Sequence, residues 1–188
     1  MKIVLIFGPQ AVGKMTIGEK VGEALNIPLL HNHVTLDVIW PYIGWNEDTF
    51  KLSHDLRMGI FKHIAKDETH RGIVFTFVWA FNLESDWDAV GEMKQIFSAQ
   101  HHELYFVELA ADLEERIKRN TSAYRLEKKP SKRNLEHSHN ELVRSMDKHR
   151  MNSLDGEIIE KNYMKLDVTH IDATEASQKI VEWINSLK

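Results

Sequence analysis

Apolar and polar positions follow two regimes along this chain: short runs that are apolar throughout, and longer stretches with an apolar residue every three or four positions. Ile3-Val4-Leu5-Ile6-Phe7 and Ile73-Val74-Phe75-Thr76-Phe77-Val78 belong to the first regime. β-Branched and aromatic runs of this kind suit strands covered on both faces, as in a parallel sheet. Leu104 to Leu109 reads as another strand, Leu29-Leu30 as a short second one stopping at His31-Asn32-His33, and Met164 to Asp167 as a weak fifth. Between the strands the spacing turns helical. Ile17, Val21, Ala24 and Leu25 form one stripe, and Val90, Met93 and Phe97 another. Leu52, Leu56, Ile60 and Ile64 form a third, with Arg57 at its edge and His63 as a core-edge histidine beside it. The pattern also predicts a helix from Thr35 to Trp40 halted by Pro41, one from Asp112 to Arg119, and one from about His139 to Met151. Asp172-Ala173-Thr174-Glu175 has the spacing of a capping box, opening a last helix with Ala176, Ile180, Ile184 and Leu187 inward. Strands that alternate with helices predict an α/β fold of three layers around a parallel sheet, with ligands at the carboxyl ends of the strands.

The first strand runs into Gly8-Pro9-Gln10-Ala11-Val12-Gly13-Lys14-Met15-Thr16, which satisfies Gly-x-x-x-x-Gly-Lys between a strand and a helix. In that setting the glycines let the backbone curl around a phosphate chain, the helix N-terminus presents its free amides, and Lys14 supplies a mobile cation. Gly8, Ala11, Val12, Gly13, Lys14, Met15 and Thr16 are therefore the candidate phosphate-binding residues, against the alternative of a glycine-containing turn that binds nothing. Met15 occupies the position where a Ser or Thr usually meets Mg²⁺, and Thr16 follows one residue late.

Composition narrows the chemistry. The 188 residues include no cysteine, which removes disulfides, thiolate catalysis and cysteine-bound zinc. The opening apolar run is five residues long and breaks at Gly8-Pro9, so neither a leader peptide nor a membrane span is expected, and a cytoplasmic location is. A net charge of −4 argues against general nucleic-acid binding. One stretch reverses that charge: Arg116 to Arg133 holds eight Lys or Arg residues against the single acid Glu127. Such a run is either a solvated face or, beside a phosphate-binding loop, a basic flap that neutralises the transferring group and keeps water away.

Gly-Lys-Met-Thr resembles the Gly-Lys-Gly-Thr of nucleoside monophosphate kinases, and Asp112-Leu113-Glu114-Glu115-Arg116-Ile117-Lys118-Arg119 resembles the helix leading into their lid, where two arginines face ATP. The order of parts over nearly the whole chain is similar to that of shikimate and gluconate kinases. The resemblance implies a single P-loop NTPase-type kinase domain over 1–188, with a five-stranded parallel sheet in the order 2-3-1-4-5, a helical acceptor-binding insert at about 34–70 and a basic lid at about 116–138. It implies ATP as donor with Mg²⁺, and a small, anionic acceptor. Lys14, Arg116 and Arg119 would be catalytic, Arg125 would join the ATP clamp, and Thr16 would support the metal or the α-phosphate. Arg57 lies where an acceptor-binding arginine occurs in shikimate kinase-like proteins, and Arg133-Asn134-Leu135 resembles their post-lid Arg-Pro-Leu, so Arg57 and Arg133 become acceptor-binding candidates.

The departures from that family are as specific. Its aspartate at the end of the second strand is replaced by His31-Asn32-His33, and the nearest acid is Asp37. His31, His33 or Asp37 could orient the acceptor; metal ligation by the histidines and plain hydrogen bonding at a strand end stand beside that reading. No strand ends in an obvious acid of Walker-B type, although the fourth offers Glu108 and then Asp112. Trp40, Trp45, Trp79 and Trp87 cluster in the acceptor region, to stack on a planar substrate or to pack the insert on the sheet. Two other classes stay open: a nucleotide-binding protein without kinase chemistry, and a nucleic-acid end kinase. Acceptor identity and oligomeric state are not encoded in any motif of this chain.

Overall fold

The computed structural model describes residues 1–121 and 135–187. Five parallel strands, β1 (Lys2–Phe7), β2 (Leu29–His31), β3 (Gly72–Phe77), β4 (Glu103–Ala110) and β5 (Tyr163–Asp167), lie in the order β2-β3-β1-β4-β5. β1 is central, and its last residue Phe7 pairs with Phe77 on one side and Glu108 on the other. The loop leaving β1 therefore emerges in the middle of the carboxyl edge, where the chain crosses over in both directions.

Both faces of the sheet are covered, which is why its strands are apolar without alternation. On one face Ile3, Leu5 and Phe7 pack with Met58 and Phe61 of α3 (Glu47–Ile64) and with Val90, Met93 and Phe97 of α4 (Glu84–Ser98). On the other, Val4 and Ile6 pack with Ile17 and Val21 of α1 (Lys14–Leu25) and with Ala176, Ile180 and Ile184 of α7 (Ala173–Ser186). Asp172 caps α7 as expected, accepting from the amides of Thr174 and Glu175 at 2.7 and 2.8 Å. Two further helices, α5 (Leu113–Asn120) and α6 (Leu135–Lys148), stand over the carboxyl edge beside the β1 loop, to which Arg116 and Ser145 join them.

Several expectations are corrected. The helix placed at Thr35 to Trp40 is α2 (Asn32–Ile43), and Pro41 lies inside it. A proline this near the C-terminus forfeits one intrahelical donor, and the turn still closes because the Gly44 amide donates to Trp40 O at 2.8 Å. In α3 the inward face is not the leucine stripe: Leu52 and Leu56 are exposed, whereas Thr49, Ser53, Arg57, Met58, Phe61 and Ile64 are buried. His63 projects into solvent instead of lying at the core edge, with 77 % of its side chain exposed. Leu187 is exposed as well, past the last buried turn of α7. The helix expected from His139 begins at Leu135 and ends at Lys148. His102 hydrogen-bonds Ala65 O through Nε2 at 2.9 Å and ties the start of β4 to the end of α3.

The aromatics of the region expected to hold the acceptor pack on one another. Trp79 is buried among Phe7, Phe81 and Trp87, while Trp40 stacks on Trp45 at 5.6 Å. Glu108 is fully buried, and its carboxylate accepts from Asn152 Nδ2 at 2.8 Å, Ser153 N at 2.9 Å, Ser153 Oγ at 2.6 Å and Tyr163 Oη at 2.8 Å, with Lys165 Nζ at 3.2 Å. Burial pushes this carboxyl up, but the donors from Ser153, Asn152 and Tyr163 outweigh it and hold Glu108 below its ordinary range. The acid that the sequence offered as a Walker-B candidate is thus committed to binding the chain segment between α6 and β5. Among the described residues, no helix is long and apolar enough to cross a membrane.

Candidate active site

The loop after β1 has the backbone that close approach to phosphate requires. Gly8 has φ +139°, and a Cβ there would lie 2.3 Å from Leu109 O on the neighbouring strand. Gly13, capping α1, has φ +110°, and Ala11 between them is left-handed at φ 59°. Lys14 folds back over the loop, its Nζ donating to Gly8 O and Pro9 O at 2.7 Å each.

Two arginines of α5 reach the same loop. Arg116 is 4 % exposed; its Nε donates to Gln10 O at 2.8 Å, and its Nη2 is buried with no hydrogen-bond partner. Burial lowers its pKa. A buried guanidinium nitrogen without an acceptor is costly, and an anion at the loop would relieve it. Arg119 donates from Nη1 to Val12 O at 3.0 Å and from Nη2 to Val168 O at 2.7 Å, and Glu115 holds its Nε at 2.9 Å. Beside it opens a cavity of about 570 Å³ lined by Gly13, Thr16, Lys118, Arg119, His170 and Asp172, among others. Its position between the P-loop, α5 and the β5–α7 loop suits the base and ribose of a nucleotide whose phosphates lie on the loop. Thr16 faces this cavity, while Met15 is buried and 7 % exposed. The loop thus fits a nucleotide. Mg²⁺ would draw on phosphate oxygens and water, with Thr16 as the one hydroxyl in the first turn of α1, which suits an ion that keeps much of its hydration.

A second cavity, of about 500 Å³, lies at the carboxyl end of β3 between α2, α3 and α4. Arg57 is the buried charge in its wall. Through Nη1 it donates to Asn32 Oδ1 and Ser53 Oγ at 2.8 Å each and contacts Thr35 Oγ1 at 3.4 Å. Burial lowers its pKa to about 10, against the opposing pull of Asp86. Asp86, whose Oδ2 accepts from Ala80 N at 2.8 Å, lines the same cavity, and burial raises its pKa despite Ala80, His149 and Arg57. Asp88 and the His54–Glu92 pair, at 2.9 Å, complete a lining of mixed charge.

Of the trio after β2, it is the middle residue, Asn32, that reaches the second cavity. His31 and His33 flank it, and His33 Nδ1 lies 3.7 Å from Asp37 Oδ1, one helical turn on. Burial acts to raise the Asp37 carboxyl, but the hydrogen bond and charge of His33 leave it below its ordinary value. Arg125 and Arg133 lie outside the described residues. Asp86 escaped the sequence reading, since an acid in the first turn of α4 is indistinguishable from an ordinary helix-end charge. Ser53 escaped it because Leu52 and Leu56 mimic a buried stripe.

No family model matches this chain, and no curated protein matches it in sequence. Solved structures do resemble it. A gluconokinase from Sinorhizobium meliloti superposes with a TM-score of 0.62 at 15% identity, over 99% of this chain and 93% of that one. A shikimate kinase from Acinetobacter baumannii in complex with shikimate gives 0.58 at 17%, over 100% and 94%. An APS kinase from Mycobacterium tuberculosis in complex with AMPPNP and APS gives 0.61 at 10%, over 98% and 97%. The chain has the fold of the P-loop small-molecule kinases, with the strand order that its sequence implied.

Proposed function

We propose that the protein is an ATP-dependent phosphotransferase acting on a hydroxyl of a small metabolite. The observation that carries this reading is the convergence of Lys14, Arg116 and Arg119 on one glycine-curled loop, with a buried guanidinium nitrogen of Arg116 left to be satisfied. A nucleotide-binding protein without transfer chemistry would need the loop, but not a second charged cavity at the neighbouring strand end. The amides from Ala11 to Lys14 cradle the phosphates, Lys14 bridges the β and γ groups, and Arg116 and Arg119 stabilise charge on the group in flight. Arg125 is proposed to join that clamp. The acceptor oxygen bonds to the γ-phosphorus as the β,γ-bridging P–O bond breaks. ADP leaves with the electron pair of the broken bond, and the hydroxyl proton passes to the Asp86 carboxylate in the cavity wall or to water. Mg²⁺ bound with the nucleotide would neutralise phosphate charge, and Thr16 would support it or the α-phosphate. Little base strength is required of the protein, because the transferring group is already loosely bonded in the transition state. We assign the orienting role to Asn32 and Asp86, which line the cavity, supported by the neighbouring His33 with Asp37.

Arg57 supports an acceptor with an anionic group, and Asp86 and Asp88 favour hydroxyl or amino groups on the same molecule. Arg133 is proposed as a second anion contact. The test is transfer of labelled γ-phosphate from ATP to a panel of sugar acids, cyclic hydroxy acids, nucleotides and aminoglycoside-like alcohols. Hydroxy acids are expected to be labelled. Arg57→Met should then raise the acceptor KM roughly 10- to 100-fold with a smaller change in kcat, the size expected from losing one charged hydrogen-bonding group. An unchanged KM would remove Arg57 from the acceptor site, and a panel without any labelled acceptor would count against transfer to small hydroxy compounds.

A further inference from the structure

The residues that end α3 and lead into β3 carry a chemistry unrelated to either cavity. His63, Asp67 and His70 converge so that one ligand atom from each lies within 4.8 Å of the others. The turn itself enforces this: Lys66 N donates to His63 O, Asp67 N to Ile64 O and His70 N to Asp67 O, at 3.1, 3.2 and 3.1 Å. These successive tight turns bring positions 63, 67 and 70 onto one side. Asp67 is oriented from behind, since Oδ1 accepts from Thr69 N at 2.9 Å and Thr69 Oγ1 at 2.7 Å. That leaves Oδ2 facing both imidazoles, 4.0 Å from His63 Nε2 and 3.6 Å from His70 Nε2.

As ion pairs these contacts would contribute little, because both histidines contend for one oxygen at the protein surface. As a metal site they are nearly complete. A tetrahedral ion with Zn–N and Zn–O bonds of about 2.0–2.2 Å separates neighbouring donors by about 3.4 Å, so the imidazole–carboxylate spacings of 3.6 and 4.0 Å need to contract by about 0.2 and 0.6 Å, and the two imidazole nitrogens, within 4.8 Å of each other, by up to about 1.4 Å, movements open to exposed side chains. Two imidazoles and a carboxylate are a borderline-soft donor set that favours Zn²⁺ over Mg²⁺ or Ca²⁺. The Thr69 hydroxyl and amide fill the role of the outer-shell donors that fix a ligating carboxylate. We propose that His63, Asp67 and His70 form a Zn²⁺ site, with water completing the coordination, that clips the end of α3 to the start of β3. The site lies at the amino end of β3, about 20 Å by strand rise from the carboxyl edge that carries the phosphate loop, so its role is to brace the scaffold.

The experiment is isothermal titration of the untagged, full-length chain with Zn²⁺, alongside Co²⁺ absorption spectra and thermal melts with Zn²⁺ or Mg²⁺. One Zn²⁺ per chain is expected, with a tetrahedral-type Co²⁺ spectrum and a melting temperature that rises with Zn²⁺ and not with Mg²⁺. His63→Ala and His70→Ala should each weaken binding about 100-fold and Thr69→Val about tenfold, the range measured when such shells are disturbed. His101→Ala, at an exposed histidine elsewhere, should leave it unchanged. All four positions are solvent-exposed or partly so, and unaltered far-ultraviolet circular dichroism will show the variants to be folded. Several weak, equivalent sites, or a single site that survives both His63→Ala and His70→Ala, would overturn the assignment.

Discussion

Lys14→Ala is expected to lower γ-phosphoryl transfer by about 10³-fold or more, the scale on which loss of a preorganised charge partner acts in a transition state. The fold is expected to survive, because Lys14 is half-buried and its Nζ donates to Gly8 O and Pro9 O, carbonyls of the same loop. Those carbonyls also explain why Lys14→Arg should not restore activity. They pin a compact ammonium within hydrogen-bonding distance of the loop, where a planar guanidinium has no equivalent seat. The measurement is single-turnover transfer with labelled ATP, with circular dichroism as a control for folding. Undiminished turnover in a folded Lys14→Ala protein would eliminate the proposed mechanism while leaving the fold assignment untouched.

The largest effect on stability is expected at Glu108. Glu108→Gln keeps the shape but removes the charge that five donors address, and one amide nitrogen would then face Ser153, Asn152, Tyr163 or Lys165 as a misplaced donor. A loss of about 3 kcal/mol or more is expected, as for breaking a buried charged network by changing one partner. The pH dependence has a definite sign. The folded-state pKa of Glu108 is held below that of the unfolded chain, so its contribution is fully present above the unfolded value of about 4.3 and fades as pH falls through the lower, folded value. Urea melts of the native protein should therefore lose stability below about pH 4.3, and Glu108→Gln should lack that component of the slope. Equal slopes in the two proteins would exclude Glu108 as its source. Tyr163, pushed up to about 12 by burial and by the adjacent carboxylate, keeps its proton throughout and remains a donor to Glu108.

The two legible parts of the molecule were legible for one reason: they depend on local sequence. Ile73 to Phe77 can only be a strand covered on both faces, and Gly8 to Lys14 can only curl the way it does because two positions adopt positive φ without a Cβ. The cavity at the carboxyl end of β3 was not legible because its wall inverts the usual pattern. Thr49, Ser53 and Arg57 turn inward to line or support a polar cavity, while Leu52 and Leu56 face out, so periodicity in apolar residues pointed to the wrong side of α3. Asp86 meets Arg57 only through tertiary packing of α4 on α3, and no spacing in the chain announces it. His33 and Asp37, alternatives in the sequence, lie 3.7 Å apart across one helical turn, while the structure gives the cavity-facing position to Asn32.

One guanidinium ties together two segments that flank the first cavity: Arg119 grips Val12 O on the loop after β1 with one nitrogen and Val168 O after β5 with another. If the cavity holds a nucleotide as proposed, the ligand meets walls already tied to one another through Arg119. Ordering of those walls belongs to folding and is not charged against the affinity for nucleotide.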